Sequence, residues 1–295
     1  MKKLLFFVNP AAGKEEIRHH LMDAISYFTA GGYDVLCHPT QKPGDIPEFI
    51  AQRGEEFDMI VSCGGDGTLN ETVTGMMQLN KRPVLGYIPA GTVNDFATSL
   101  KIPKVLSEGI RNVMDGKAFP VDMGGFNDKY FTYVAAFGAF TKASYATPHA
   151  TKQALGRAAY ILEGIRSMPD IRPIHVTVRS GETVFEEDVI YGMISNATSV
   201  GGFKALDDSI VKMDDGLNEL VLVKAPKSIQ DLNAIFTGLA TRTFNPNYFH
   251  ILQSDHVTFT FTDPTPWTLD GEFGGDVLSA TVTNIPTPLQ IMVPK

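Results

Sequence analysis

The sequence predicts an open, parallel α/β domain followed by an antiparallel β domain. Over the first 123 residues, short apolar runs alternate with segments whose apolar residues recur at helical spacing, the pattern of β-α-β units joined by right-handed crossovers. After Val121-Asp122-Met123-Gly124, strand-like runs follow one another, separated by turn residues such as Ser180-Gly181 and Asp215-Gly216. At 295 residues the chain is longer than one ordinary domain, so two cores are expected. The domains are placed at 1–123 and 124–285, with a last strand in 286–295 that can return to the first.

The first strand, 4–8, has Lys2 and Lys3 ahead of its apolar run and so imitates a signal peptide. The run is too short for one and ends at Asn9-Pro10 without a cleavage-like site, so a buried strand is expected. Helix 15–30, strand 33–37, helix 45–54, strand 57–62, helix 68–79 and strand 84–88 follow, then a short helix at 96–100. The second domain carries predicted strands at 130–140, 171–178, 183–195, 216–223, 256–262 and 277–285, helices near 153–167 and 228–239, and a closing strand at 289–293.

Composition narrows the function classes. Hydrophobic residues make up 43% and charged residues 20%, as in soluble globular proteins, and no apolar run approaches the roughly 20 residues a membrane helix needs. A net charge of −8 argues against nucleic acid as a partner. Cys37 and Cys63 lie on or beside predicted strands without metal-ligand spacing, which reads as buried, reduced thiols of a cytoplasmic protein. Charge is uneven along the chain: Lys142, Lys152, Arg157, Arg166, Arg172 and Arg179 stand against only Glu163 and Asp170. Such a stretch is either a solvated helical face or a contact for acidic headgroups.

The octapeptide Gly64-Gly65-Asp66-Gly67-Thr68-Leu69-Asn70-Glu71 is the most specific feature. It joins a predicted strand to a predicted helix, which leaves backbone N–H groups at the positive end of the helix, where phosphate binds. Gly64, Gly65 and Gly67 permit a close approach that a Cβ would block, and Asp66 between them can hold a divalent cation against phosphates. The plainer reading is a tight turn in which Asp66 or Thr68 caps the helix. Neither common nucleotide fingerprint fits: GxxxxGK[ST] is absent, since Lys14 precedes Glu15, and GxGxxG fails at Asn70.

The other strand ends of this domain carry Asn9-Pro10-Ala11-Ala12-Gly13-Lys14, Pro39-Thr40 and the segment from Pro89 to Asp95. In open parallel sheets, ligands bind beyond the carboxyl ends of the strands. Asn94 or Asp95 is either a helix cap or a functional group. Asp122, after another short strand, either reinforces the same acidic pocket or pairs with a buried arginine. Downstream, Asp270-Gly271 reads locally as a hairpin turn, and Glu272 beside it is the candidate base if a phosphoryl group passes to a hydroxyl. Asp214-Asp215-Gly216 is an acidic turn, either solvated or cation-binding.

Together these segments resemble the diacylglycerol kinase catalytic family, which takes in soluble bacterial diacylglycerol kinases, related lipid kinases and sphingosine kinases. The matching pieces are 9–14, 64–71, 89–97, Val121-Asp122, 212–217 and Leu269-Asp270-Gly271-Glu272, in the family's order. The resemblance implies an α/β, NAD-kinase-like or Rossmann-like nucleotide domain, an all-β sandwich as lipid-binding domain, and a cleft between them for ATP and a lipid alcohol. It implies that Asn9, Pro10, Ala11, Ala12, Gly13, Thr40, Gly65, Asp66, Gly67, Thr68, Leu69, Asn70, Glu71 and Thr92 line ATP. Asp66, Asp95 and Asp122 would organise Mg²⁺ and its waters, and Glu272 would accept the proton. Lys212 and Leu217, through carbonyl oxygens, and Asp215 would hold a structural Mg²⁺. The sequence departs from the pattern at Glu163, where soluble diacylglycerol kinases commonly carry a lysine; this leaves the exact lipid open, with Arg157 and Arg166 on the same predicted helix.

The expected activity is ATP-dependent phosphorylation of a lipid hydroxyl, diacylglycerol first among the acceptors. Peripheral, reversible bilayer contact is expected through the basic stretch and apolar side chains around 137–145. Strand edges of the β domain suit a homodimer. Two alternatives stand beside this reading: NAD kinase, whose family shares the Gly-Gly-Asp-Gly-Thr turn, and a non-catalytic lipid- or nucleotide-binding regulator on the same scaffold.

Overall fold

Five consecutive apolar residues, Leu4 to Val8, form the buried part of β1 (Lys2–Val8), as a strand covered on both faces requires. In the computed structural model, which describes residues 1–12, 17–139, 172–200, 203–204 and 211–295, the chain divides into two compact units. One is Met1–Met123 with Pro286–Lys295, the other Gly124–Ile285.

In the first unit β1 is followed by α1 (Ile17–Ala30), β2 (Tyr33–Pro39), α2 (Asp45–Arg53), a 3-10 turn at Gly54–Glu56, β3 (Met59–Gly64) and α3 (Asp66–Met77). Then come β4 (Val84–Pro89), α4 (Asp95–Ser99), α5 (Leu106–Asp115) and β5 (Lys117–Phe126), which begins here. β1 lies between β2 and β3, and β4 lies beyond β3, all parallel, as successive β-α-β crossovers produce. The last strand of the chain, running Glu272–Val293, ends in this unit, where Ile291 pairs in parallel with Leu85. Phe6 and Phe28 meet edge to face at 5.3 Å in the core, and Asn112 of α5 donates Nδ2 to the Met292 carbonyl at 3.0 Å.

The second unit holds β6 (Lys129–Phe131), β7 (Val134–Gly138), β8 (Ile174–Ser180), β9 (Thr183–Ser195), the short pair β10 (Ser199–Val200) and β11 (Phe203–Lys204), and β12 (Asn218–Lys224). After them come α6 (Ile229–Thr241), β13 (Phe249–Ser254), β14 (His256–Leu269) and the start of the last strand, β15. The order β13-β12-β9-β7-β14 is antiparallel throughout, and β14 turns back into β15. Trp267 centres the core, fully buried, with ring centroids 4.7 Å from Phe137, 4.9 Å from Phe126 and 5.2 Å from Phe259. Alternate residues of β14 supply Val257, Phe259 and Phe261 to this cluster, the period-2 pattern of a half-buried strand.

The structure departs from expectation in specific places. The helix expected near 228–239 is α6, capped by Ser228 Oγ, which accepts the Asp231 N–H at 3.1 Å, so the all-β label for the second unit is too narrow although its elements were expected. Helix α5 was not expected, although Leu106, Ile110 and Val113 already stand at helical spacing and are buried. Strand β13 was not expected either; its pattern FHILQS is short and follows Asn245-Pro246-Asn247. The expected strands 277–285 and 289–293 are one strand, β15, running through Pro286 and Pro288. Prolines remove ladder donors, but the N–H between them, that of Thr287, is taken by Asp122 Oδ1 at 2.6 Å. The expected helix 153–167 lies outside the described residues.

Asn112→Ala is expected to lower stability by about 1–3 kcal/mol, because it leaves the buried Met292 carbonyl without its donor. Urea unfolding checks this; a change below about 0.5 kcal/mol would show that the C-terminal return does not depend on that bond.

Candidate active site

Four parallel strands of the first unit end level. Val8 pairs with Pro39 and Cys63, and Gly64 with Pro89. The ladder continues one residue into the loops: Asn9 N donates to Cys63 O at 2.9 Å, Thr40 N to Val8 O at 2.9 Å, and Ala90 N to Gly64 O at 2.8 Å. Segments 9–12, 40–44, 65–68 and 90–95 therefore leave the sheet along one edge, at the carboxyl ends of the strands. Pro10 and Ala11 follow Asn9 there, with Ala12 buried. Gly13 and Lys14 lie outside the described residues.

That edge builds the glycine turn. Helix α3 starts at Asp66 with Gly65 as N-cap, and no side chain caps it. The first intrahelical bond runs from Leu69 N to Gly65 O at 3.1 Å, so the N–H groups of Gly67 and Thr68 precede the ladder at the positive end of the helix dipole. The capping reading is thereby corrected: Asp66 reaches outward instead, its Oδ2 accepting the Asn94 N–H at 3.0 Å. Gly65 and Gly91 approach so closely that a Cβ on Gly91 would lie 2.5 Å from Gly65 Cα. Asn9 Nδ2 donates to Thr68 Oγ1 at 3.1 Å, and Glu71 Oε1 accepts the Gly44 N–H at 3.1 Å, tying the segment after Thr40 to α3. Leu69 is fully buried, so its side chain belongs to the core and only its backbone faces the turn, while Asn70 is half-buried.

Beyond β4, Thr92 is exposed, whereas Asn94 and Asp95 are buried. Asn94 sits at the N-cap position of α4 with φ 54°, but its side chain does not cap the helix. It turns back, accepting from Gly91 N at 3.0 Å and donating to Gly91 O at 2.8 Å. The Tyr87 hydroxyl reaches Asn94 Oδ1 at 3.3 Å. Burial, and then the negative charge of neighbours including Asp66, holds the Tyr87 phenol well above its ordinary range, so it stays a neutral donor. Burial likewise pushes the Cys63 thiol up to about 12, which makes it inert. Asp122 is fully buried, and its Oδ1 accepts the Thr287 N–H at 2.6 Å.

In the second unit, Leu269 pairs with Glu272 around Asp270 and Gly271, whose φ angles of 51° and 89° are both left-handed, the two-residue hairpin of primed type. Asp270 is more than a turn residue. It is buried, and its Oδ2 accepts from Thr132 N at 2.6 Å and Thr132 Oγ1 at 2.8 Å, its Oδ1 from Tyr133 N at 2.9 Å and Val134 N at 3.1 Å. Glu272, two residues on, is exposed. Sequence reasoning missed this anchor because its partners lie far away in the chain.

Phe137, expected among apolar side chains available to a bilayer, is instead fully buried against Trp267, because β7 alternates it into the core. Residues 140–171, with Lys142, Lys152, Arg157, Glu163 and Arg166, lie outside the described residues. Lys212 and Asp215 are exposed; Asp215 Oδ1 accepts the Leu217 N–H at 3.1 Å, and Leu217 O accepts Asn284 Nδ2 at 3.0 Å. Among the described residues no three His, Cys, Asp or Glu side chains converge to hold a metal. The turn instead offers a mixed set of hard oxygens, which suits Mg²⁺ or Ca²⁺ by donor type. Burial pushes the nearby Glu219 carboxyl up to about 7.

The model of the diacylglycerol kinase catalytic domain matches residues 3–126. The chain is 32% identical to a diacylglycerol kinase of Bacillus subtilis (strain 168), over 100% of this chain and 97% of the relative. It is 34% identical to a diacylglycerol kinase of Staphylococcus epidermidis (strain ATCC 12228), over 100% and 93%. Its fold is similar to that of a diacylglycerol kinase from Bacillus anthracis str. Sterne, seen by crystallography, with a TM-score of 0.83 at 24% identity over 99% of this chain and 97% of that one.

Asp270→Asn is expected to destabilise the protein by about 2 kcal/mol or more, because an amide nitrogen would face buried N–H donors that a carboxylate oxygen now satisfies. Thermal and urea unfolding measure it. Unchanged stability would show that the four bonds do not anchor the hairpin.

Proposed function

The chain belongs to the diacylglycerol kinase family, and from that premise we propose that it transfers the γ-phosphoryl group of ATP to a lipid hydroxyl, with diacylglycerol as acceptor and phosphatidic acid as product. The observation that carries this reading is the contact of Gly65 with Gly91 at a shared sheet edge. That approach sets the loop after β4 beside the N-terminus of α3, where no side chain caps the first N–H groups, and such groups at the positive end of a helix suit phosphate.

In this reading Asn9, Thr40, Gly67, Thr68, Asn70, Glu71 and Thr92 contact ATP. Asp66, Asp95 and Asp122 would organise Mg²⁺ through its waters rather than as one converging set of direct ligands, since no three such side chains converge among the described residues. Mg²⁺, when bound, neutralises phosphate charge and stabilises the leaving ADP. Glu272, whose exposure leaves its carboxylate accessible, takes the proton of the acceptor hydroxyl. As the O–H bond breaks, that oxygen forms its bond to the γ-phosphorus, and the bond from the γ-phosphorus to the bridging oxygen breaks to release ADP. Asp215, with the carbonyls of Lys212 and Leu217, is the proposed seat of a structural Mg²⁺. Leu217 O already accepts Asn284 Nδ2 on one side, which leaves its second lone pair for a cation.

Among the described residues no helix is long and apolar enough to cross a membrane. We place the protein in the cytoplasm, in reversible contact with a bilayer from which it takes its acceptor.

A kinase assay in mixed micelles with Mg²⁺ and radiolabelled ATP, offering diacylglycerol, phosphatidylglycerol and NAD in parallel, tests the reading. Labelled phosphatidic acid is expected, and labelled NAD phosphate with no lipid product would refute the assignment. Glu272→Gln is expected to lower kcat by about 10²–10⁴-fold, the range for loss of a general base, with ATP binding retained. Wild-type turnover in Glu272→Gln would remove Glu272 from the mechanism.

A further inference from the structure

Asn94 makes six hydrogen bonds, and none of those made by its side chain caps α4. Its main-chain N–H goes to Asp66 Oδ2 at 3.0 Å, its carboxamide closes on both backbone groups of Gly91, and Oδ1 also receives the Tyr87 hydroxyl. Its carbonyl accepts from Thr98 N at 3.1 Å and Thr98 Oγ1 at 3.0 Å, which starts α4. Asn94 is 3% exposed and sits at φ 54° and ψ 58°, a left-handed conformation that asparagine tolerates far better than most residues. From that position the carboxamide presents one donor and one acceptor to Gly91, as a paired backbone would. The complementary constraint is on Gly91, where a Cβ would strike Gly65 Cα at 2.5 Å and Asn94 Oδ1 at 2.7 Å.

We propose that Asn94 is the positioning residue of the active site: it fastens the loop carrying Thr92 onto the glycine turn and fixes the direction of the Asp66 carboxylate. It touches neither ATP nor lipid and acts through Asp66 and Gly91. This rests on the reading of Asp66 as a group that serves Mg²⁺ and ATP. One carboxylate oxygen is tied to the Asn94 N–H, so Asp66 has a preset orientation when MgATP arrives, and less freedom is lost on binding and in the transition state. Aspartate at 94 keeps the shape but turns an acceptor toward the Gly91 carbonyl. Glycine keeps the left-handed backbone and deletes the clamp.

The test is steady-state kinetics and nucleotide binding on the full chain, with Asn94→Gly, Asn94→Asp and Tyr87→Phe, the last removing the hydroxyl that reaches Asn94 Oδ1 at 3.3 Å and the Gly64 carbonyl at 3.4 Å. Asn94→Gly and Asn94→Asp are expected to lower kcat by about 30-fold or more, with KM for the lipid within about twofold, and Tyr87→Phe by about 3- to 10-fold. Calorimetry is expected to show MgATP binding weakened more than binding of ATP in EDTA, a difference that mere loosening of the fold would not produce. Should the Asn94 variants fail to fold, Tyr87→Phe decides. A kcat within about twofold of the parent in the folded variants, or equal weakening with and without Mg²⁺, overturns the proposal. Asp66→Ala in the same assays separates the two levels: if it retains full turnover, the functional reading falls. If it abolishes turnover while Asn94→Gly does not impair it, only the role of Asn94 falls.

Discussion

The approach of Gly65 to Gly91 is the constraint on which the first unit's site depends. It follows from register: because Gly64 pairs with Pro89 and Ala90 N bonds Gly64 O, the chain leaves two neighbouring strands at the same level. The two loops then run so close that a Cβ on Gly91 would fall 2.5 Å from the other backbone. The same closeness lets the Asn94 N–H reach Asp66 and the Asn94 side chain reach Gly91. A shift of one residue in the β3–β4 ladder would separate these groups by about 3.3 Å and dissolve the arrangement.

The acidic residues divide by how the fold treats them. Asp122 and Asp270 are buried and bonded to backbone N–H groups, so they hold the chain in place: one at the Pro286-Thr287-Pro288 passage, the other at the hairpin before Glu272. Carboxylates that accept several N–H groups in a dry setting are costly to disturb. Glu272 is exposed and stands two residues from the rigid anchor at Asp270. An exposed carboxylate next to an immobile one keeps a defined location while remaining open to solvent.

The second unit shows why apolar residues near a candidate bilayer contact cannot be assigned to it from sequence. Phe137 looks available in a run of small and aromatic residues, yet its strand alternates, and its ring is one wall of the Trp267 cluster. Phe273, beside Glu272, is the aromatic that the fold leaves 54% exposed. Neither outcome is visible without knowing which face of each strand turns inward.

Much of the first unit was legible because its signals are local. Apolar strands, helical spacing and the glycine-rich octapeptide each speak for their own segment, and parallel order follows from alternation. The turn at Asp270-Gly271 and the buried thiol of Cys63 were legible for the same reason. What remained hidden were relations between distant residues: Asp270 with Thr132 to Val134, Asp122 with Thr287, Asn94 with Asp66, and the passage of one strand through two prolines. By itself, the sequence determined most of the strands and helices of the first unit and the place of the glycine-rich turn between β3 and α3, since these depend on neighbours within a few residues. Only the tertiary structure decided which carboxylates are anchors and which is exposed, because burial and hydrogen bonding are set by what the sheet register brings alongside.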